Sequence, residues 1–258
     1  LKNHVAIVQP ASKSIGRGVA ESLAAEGCDL VITARGQEGL NAAAKGIEAQ
    51  FGVKVVPHAM DTADLNANKK LVELAAAEFG RLDIVLCNSG GPPPGRTLDL
   101  TDDQWADAAQ LLLRSPVDLL RHALPLLEKS PSPRFFVVTS SSTKELIDGL
   151  ALSNVYRPAV HGLIKNIAQK LGEKGLRCHS IAPGRIDTER LDKVFNMQAS
   201  RMGRDAAEVR DAVIAAIPAG RLGTIADMGS LVAFLSSAHA DYLTGGNWLV
   251  DGGLIRSL

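Results

Sequence analysis

The stretch "SNVYRPAV" (153–160) places a hydroxyl, a phenol and a guanidinium within five residues. From it an apolar stripe runs through Val160, Leu163, Ile164, Ile167, Ala168 and Leu171, the spacing of one buried helical face. Ser153 and Arg157 extend that stripe backwards and Tyr156 sits beside it. Pro158 lacks a backbone donor and biases Arg157 away from helical geometry, which predicts a distorted helix entrance. The stretch is either a polar helix start or a reactive site in unusual form. Metal chemistry has little support: six histidines are scattered without an HExxH pattern, and Cys28, Cys87 and Cys178 have no metal-type spacing.

The elements that must position these groups alternate along the chain. Strand-like runs lie at 5–8, 29–34, 54–57, 83–88, 134–140, 177–182 and 247–250. Helical patterns lie at 15–25, 40–51, 65–79, 102–127, from the quoted stretch to Leu171, at about 205–216 and at 225–237. The stretch 185–204 reads as polar and irregular. Such alternation predicts an α/β, doubly wound, Rossmann-type parallel sheet in a single three-layer domain over 1–258. Its binding crevice should lie at the carboxyl ends of the strands. A chain of 258 residues, 46% hydrophobic, can bury the core this needs. Lys plus Arg and Asp plus Glu both number 28, which removes the electrostatic argument for nucleic acid or an anionic membrane. Few cysteines and no long apolar run point to a reduced, cytoplasmic protein.

In that fold the first strand–helix turn holds phosphate. Here it reads "VQPASKSIGRG" (8–18), with Pro10 and Ser14 where glycines are expected and only Gly16 and Gly18 kept. Ser12 and Ser14 can donate hydrogen bonds and Lys13 can supply charge, with Ile15 opening the helix behind them. The second strand ends in "TARG", offering Arg35 and no carboxylate. An arginine there accommodates the 2′-phosphate of NADP, whereas an acid binds the ribose hydroxyls of NAD. Lys13 and Arg35 therefore favour NADP over NAD if a nucleotide binds. The altered loop also leaves open that none does.

The chain resembles the short-chain dehydrogenase/reductase family over essentially its whole length. The motifs are "ASKSIG" (11–16), Asp61-Thr62, "CNSGG" (87–91), "SIAPGRIDT" (180–188), "PAGRLGT" (218–224) and "YLTGGNWLVDGG" (242–253). The resemblance implies that Asp61, with Thr62, contacts adenine and that Asn88, Ser89 and Gly90 border the cofactor ribose. It implies that Pro183, Gly184 and Thr188 flank the nicotinamide, and that 185–204 is the substrate lid. Each has a plain structural alternative: Gly90 and Gly184 serving turns, Asp61 capping the next helix. A small carbonyl or alcohol substrate and a homo-oligomer, dimer or tetramer, follow from the same likeness.

The family's chemistry uses a Tyr, a Lys four residues later, an upstream Ser and an Asn. Registering "AVHGL" (159–163) on the family pattern puts Arg157 at the lysine position and Ser153 at the tyrosine position. Ser140 falls at the serine position, with Ser141 as fallback, and Leu112 at the asparagine position. A serine hydroxyl is a far weaker acid than a phenol, and arginine is a planar fork where lysine is a point charge. The chain is also similar to a subset of the family with a "PPPG" loop and an "SN…R" pattern, described as oxoacyl-carrier-protein-reductase-like. Three functions compete. One is an NADP(H)-dependent carbonyl reductase or alcohol dehydrogenase with a proton relay rebuilt from Ser140, Tyr156 and Arg157. The others are a catalytically silent subunit and a non-redox enzyme resembling halohydrin dehalogenases, which use a Ser–Tyr–Arg set without nucleotide.

Overall fold

Short β-branched runs become the strands because both of their faces are covered. In β1 (Val5–Gln9) every residue is buried. Ala6 and Val8 point to one face and Ile7 to the other, as the two-residue period of a strand requires. The computed structural model describes residues 1–257, apart from the side chain of Arg201. In chain order β1 leads to α1 (Ser14–Ala25), β2 (Asp29–Ala34), α2 (Gln37–Phe51), β3 (Val55–Ala59), α3 (Leu65–Phe79) and β4 (Ile84–Cys87). Then come α4 (Asp102–Ala109), a π-helical turn (Gln110–Arg114), α5 (Ser115–Leu127), β5 (Arg134–Val138), α6 (Ala151–Leu171) and β6 (Arg177–Pro183). Helices α7 (Glu189–Met202), α8 (Ala206–Ala215) and α9 (Ile225–Ser236) precede β7 (Asn247–Val250).

The strands form one parallel sheet in the order β3-β2-β1-β4-β5-β6-β7. One face packs on α1, α2 and α9 through Val19, Leu23, Leu40, Ile47 and Val232. The other packs on α3, α5 and α6 through Leu71, Leu119, Val160 and Ile164. The order reverses beside β1, where β2 and β4 flank it, so the crevice opens at the ends of β1 and β4, as a doubly wound sheet dictates.

Two sequence expectations need correction. The 102–127 helix is interrupted by the π-helical turn that contains Leu112, with Pro116 just after it. The stretch 185–204 is mostly the helix α7. Its Leu191, Phe195 and Ala199 recur at four-residue spacing and share a small core with Val209, Ile217 and Leu222.

His179 on β6 is fully buried, stacked on Phe136, and accepts a 2.9 Å hydrogen bond at Nδ1 from Trp248 Nε1. Burial above all pushes its pKa down from 6.5 to about 4. The folded state therefore holds the neutral ring, while the unfolded chain takes up a proton below pH 6.5. Stability should be complete above that pH and fall as the pH drops towards 4, by about 3 kcal/mol from this residue. Denaturant titrations from pH 7 to 4 should show a shallower acid loss in His179→Gln than in the parent. Equal slopes would remove His179 as the cause.

Candidate active site

The crevice is built by the carboxyl ends of strands β1 to β6. At the end of β1, Gly16 packs so tightly under the turn that a Cβ there would lie 1.8 Å from the Pro10 carbonyl oxygen. The glycine is thus a requirement of the turn. Ser14, the first residue of α1, has φ +56°, a left-handed conformation that costs a residue with a side chain roughly 1–2 kcal/mol. Ser12 and Ile15 are half-buried and Lys13 is exposed, paired with Glu189 at the start of α7. Arg35 is exposed just past β2 and, among the described residues, forms no ion pair.

After β3, Asp61 accepts from the Ala63 N–H at 2.9 Å, while Asp64 caps α3 by accepting from Asn66. The capping alternative for Asp61 therefore belongs to Asp64. Thr62 gives its carbonyl to Ser115 Oγ at 2.7 Å. Asn88 leaves β4 with its N–H on the Gln9 carbonyl at 2.5 Å, followed by half-buried Ser89 and exposed Gly90. Pro183 ends β6 and the Gly184 N–H donates to the Val250 carbonyl at 2.9 Å. Gly184 is needed for that approach, since a Cβ there would lie 2.6 Å from the Asp251 side chain. Thr188 is the extended residue before α7, its hydroxyl donating to the Ile186 carbonyl at 3.3 Å.

Ser140, two residues past β5, has extended backbone, and its Oγ accepts from the Ser142 N–H at 3.1 Å. Ser142 Oγ in turn donates to the Ser153 carbonyl at 3.3 Å, which ties this turn to the first turn of α6. Ser153 and Arg157 are both buried, one turn apart on the same helix face. Asn154 faces the other way and clamps the preceding loop, bonding both the N–H and the carbonyl of Ile147.

The distorted helix entrance is not found. Residues 151–171 run as one helix with Pro158 inside it. Pro158 is exposed, so the carbonyl it leaves unpaired one turn earlier can be hydrated. Tyr156 therefore keeps its regular helical bearing, and its hydroxyl donates to the Trp105 carbonyl on α4 at 3.1 Å. The two rings pack at 5.9 Å. The phenol is engaged as a strut between α6 and α4, and among the described residues it forms no hydrogen bond with Ser140 or Arg157.

Arg157 is the unusual group. It is 5% exposed, donates from Nη1 to the Val138 carbonyl at 2.7 Å and from Nη2 to the Gly90 carbonyl at 3.2 Å, and leaves Nε without a partner. It thus bridges the ends of β5 and β4. Burial, and then the nearby Arg190 guanidinium, lower its pKa from 12.5 to about 10. Arg190 is not among the residues the sequence singles out; it enters the site on α7, whose Leu191, Phe195 and Ala199 form a helical face only once packed on the core with Val209.

A family described as enoyl-(acyl carrier protein) reductase matches residues 11–255. The 3-oxoacyl-[acyl-carrier-protein] reductase FabG of Salmonella typhimurium is 30% identical over 253 residues, covering 97% of this chain and 96% of that one. Among solved structures, the L-sorbose reductase of Gluconobacter frateurii, complexed with NADPH and L-sorbose, has a TM-score of 0.95 at 26% identity and covers 100% of this chain and 98% of that one. An NADPH-bound short-chain oxidoreductase of Pseudomonas aeruginosa PAO1, described as containing an atypical catalytic center, has a TM-score of 0.91 at 25% identity, covering 100% and 99%. Motifs, strand order and relatives spanning both chains agree, and the protein belongs to the short-chain dehydrogenase/reductase family.

Proposed function

We propose that the protein is an NADP(H)-dependent carbonyl reductase or alcohol dehydrogenase whose active site works through Ser140, Ser153 and Arg157. The observation that carries this reading is Arg157, a buried cation spanning the ends of β4 and β5 at the position of the family's lysine. A site kept charged at that cost of desolvation suits a reaction in which negative charge develops beside it.

The residues present fit the nucleotide. Arg35, without an acid beside it, suits the 2′-phosphate. Ser12, Ser14 and the N-terminus of α1 suit the diphosphate, with Lys13 adding charge. Gly90, where a Cβ would meet nothing within 4 Å, leaves open space beside Asn88 and Ser89 for the ribose. By the family resemblance, Asp61 and Thr62 would contact the adenine, and Pro183, Gly184 and Thr188 would flank the nicotinamide. The segment 185–204 is the lid over the substrate. Bound there, NADPH would supply hydride for reduction of a carbonyl. The guanidinium of Arg157 offsets charge developing on the carbonyl oxygen. Ser140 Oγ passes a proton to that oxygen and regains one from water, and the Ser153 hydroxyl supports the same atom.

Tyr156 has no part in this route. Tyr156→Phe should keep carbonyl reduction within about fivefold of the parent, against the roughly 10²–10⁴-fold loss that follows removal of a general acid. A loss of that larger size would restore the phenol to the relay. Binding is tested by titrating the protein with NADPH and NADH while following nicotinamide fluorescence. The expected result is saturable NADPH binding, tighter than NADH. Failure of both nucleotides to bind would overturn the reading and leave the silent-subunit or dehalogenase alternatives.

A further inference from the structure

The crevice holds more positive charge than the proton relay uses. A Cβ built on Gly91 would lie 1.9–2.3 Å from the guanidinium atoms of Arg190, so this guanidinium occupies the place of a side chain at 91. On the adjacent residue, the Gly90 carbonyl takes its hydrogen bond from Arg157. Two guanidiniums are thus held against neighbouring residues of one loop, close enough for each to repel the other.

Among the described residues no carboxylate pairs with either. Three carboxylates cluster near Arg190, and each is committed elsewhere. Glu189 pairs with Lys13, while Asp187 and Asp192 both pair with Arg210. Among the described residues neither Arg157 nor Arg190 makes an ion pair. Arg157 uses two of its five N–H donors, and its buried Nε–H has no partner. A buried guanidinium with a free Nε–H and no counter-ion, beside a second and exposed guanidinium, is a site short of an anion. Planar forks of this kind match a carboxylate through paired hydrogen bonds.

We propose that Arg190, seated on Gly91 beside Arg157, binds the carboxylate of the substrate, so that the enzyme acts on oxo acids or the corresponding hydroxy acids. This rests on the carbonyl-reductase reading. The carbonyl oxygen faces Arg157 and Ser140, and the carboxylate faces Arg190. Gly91 is part of the device, because any side chain there displaces the guanidinium.

The test uses malonate as a probe, titrated by calorimetry into the full-length protein with and without saturating NADPH. The NADPH complex should bind malonate saturably. Arg190→Gln and Gly91→Ala should each weaken malonate tenfold or more, Arg190→Lys should lose less, and NADPH affinity should stay within twofold throughout. Malonate that displaces NADPH, or an Arg190→Gln variant losing both ligands together, would assign the pair to the cofactor's diphosphate and overturn the proposal. Malonate binding unchanged by Arg190→Gln, or absent from the parent, would overturn it too. Arg190-dependent malonate binding by a protein that takes no nucleotide would uphold the anion site and overturn the oxidoreductase reading instead.

Discussion

Arg157→Met should lower kcat/KM for carbonyl reduction by about 10²–10³, the usual cost of losing a preorganised group that meets developing negative charge. Stability should move far less. The substitution strands the Val138 and Gly90 carbonyls, each costing about 1–3 kcal/mol if left unpaired. It also removes a buried cation that no carboxylate compensates, and replacing such a charge with a well-packed apolar side chain is often neutral or stabilising. The two effects oppose, so unfolding free energy should change by no more than about 2 kcal/mol. Circular dichroism and denaturant titration beside the kinetics would read both. A protein that unfolds while its residual folded fraction stays fully active would show that Arg157 only holds the two strand ends. The pH profile gives a second reading. With its pKa near 10, Arg157 is charged below that pH and loses its proton above it. Reduction should therefore decline as the pH rises through about 10, and this limb should be missing from the residual activity of Arg157→Met.

Gly18→Ala should be the most damaging small substitution away from the crevice. Helix α1 crosses α9 with backbone nearly touching backbone. A Cβ on Gly18 would lie 2.3 Å from the Ile225 carbonyl oxygen, and one on Gly229 would lie 2.4 Å from the Gly18 carbonyl oxygen. Alanine is the better helix former by about 1 kcal/mol, so an isolated helix would gain. Here that gain is outweighed, because neither backbone can yield without separating the helices. Overpacking of this sort costs about 3 kcal/mol, which in a chain of this size lowers the melting temperature by about 6–12 °C. The helix that shifts carries Ser14 and the turn before it, so NADPH affinity should fall as well. A melting temperature within 2 °C of the parent would mean that the crossing relaxes freely.

The sequence by itself determined the layered fold, since strands covered on both faces must be apolar runs and their helices must show a 3.6-residue stripe. Those patterns are local, and all seven strands and the sheet class could be read from them. It also placed the unusual site on one face: Ser153 and Arg157 extend backwards the apolar stripe that begins at Val160, and burial of both on α6 follows that spacing. Helix α7 was not legible because its apolar residues are interrupted by charges and are buried only where α8 meets them.

Tertiary structure decided the rest. Pro158 reads as a break, but its exposed side leaves the freed carbonyl to water while the buried face keeps the helix continuous. In that continuous helix the Tyr156 hydroxyl meets Trp105, fifty-one residues away in sequence. Likewise, no local pattern shows that the acids beside Arg190 are occupied by Lys13 and Arg210. Spacing assigns a side chain to a face. Which partner meets it there depends on contacts between distant segments, and those contacts decide which charges remain free for a ligand.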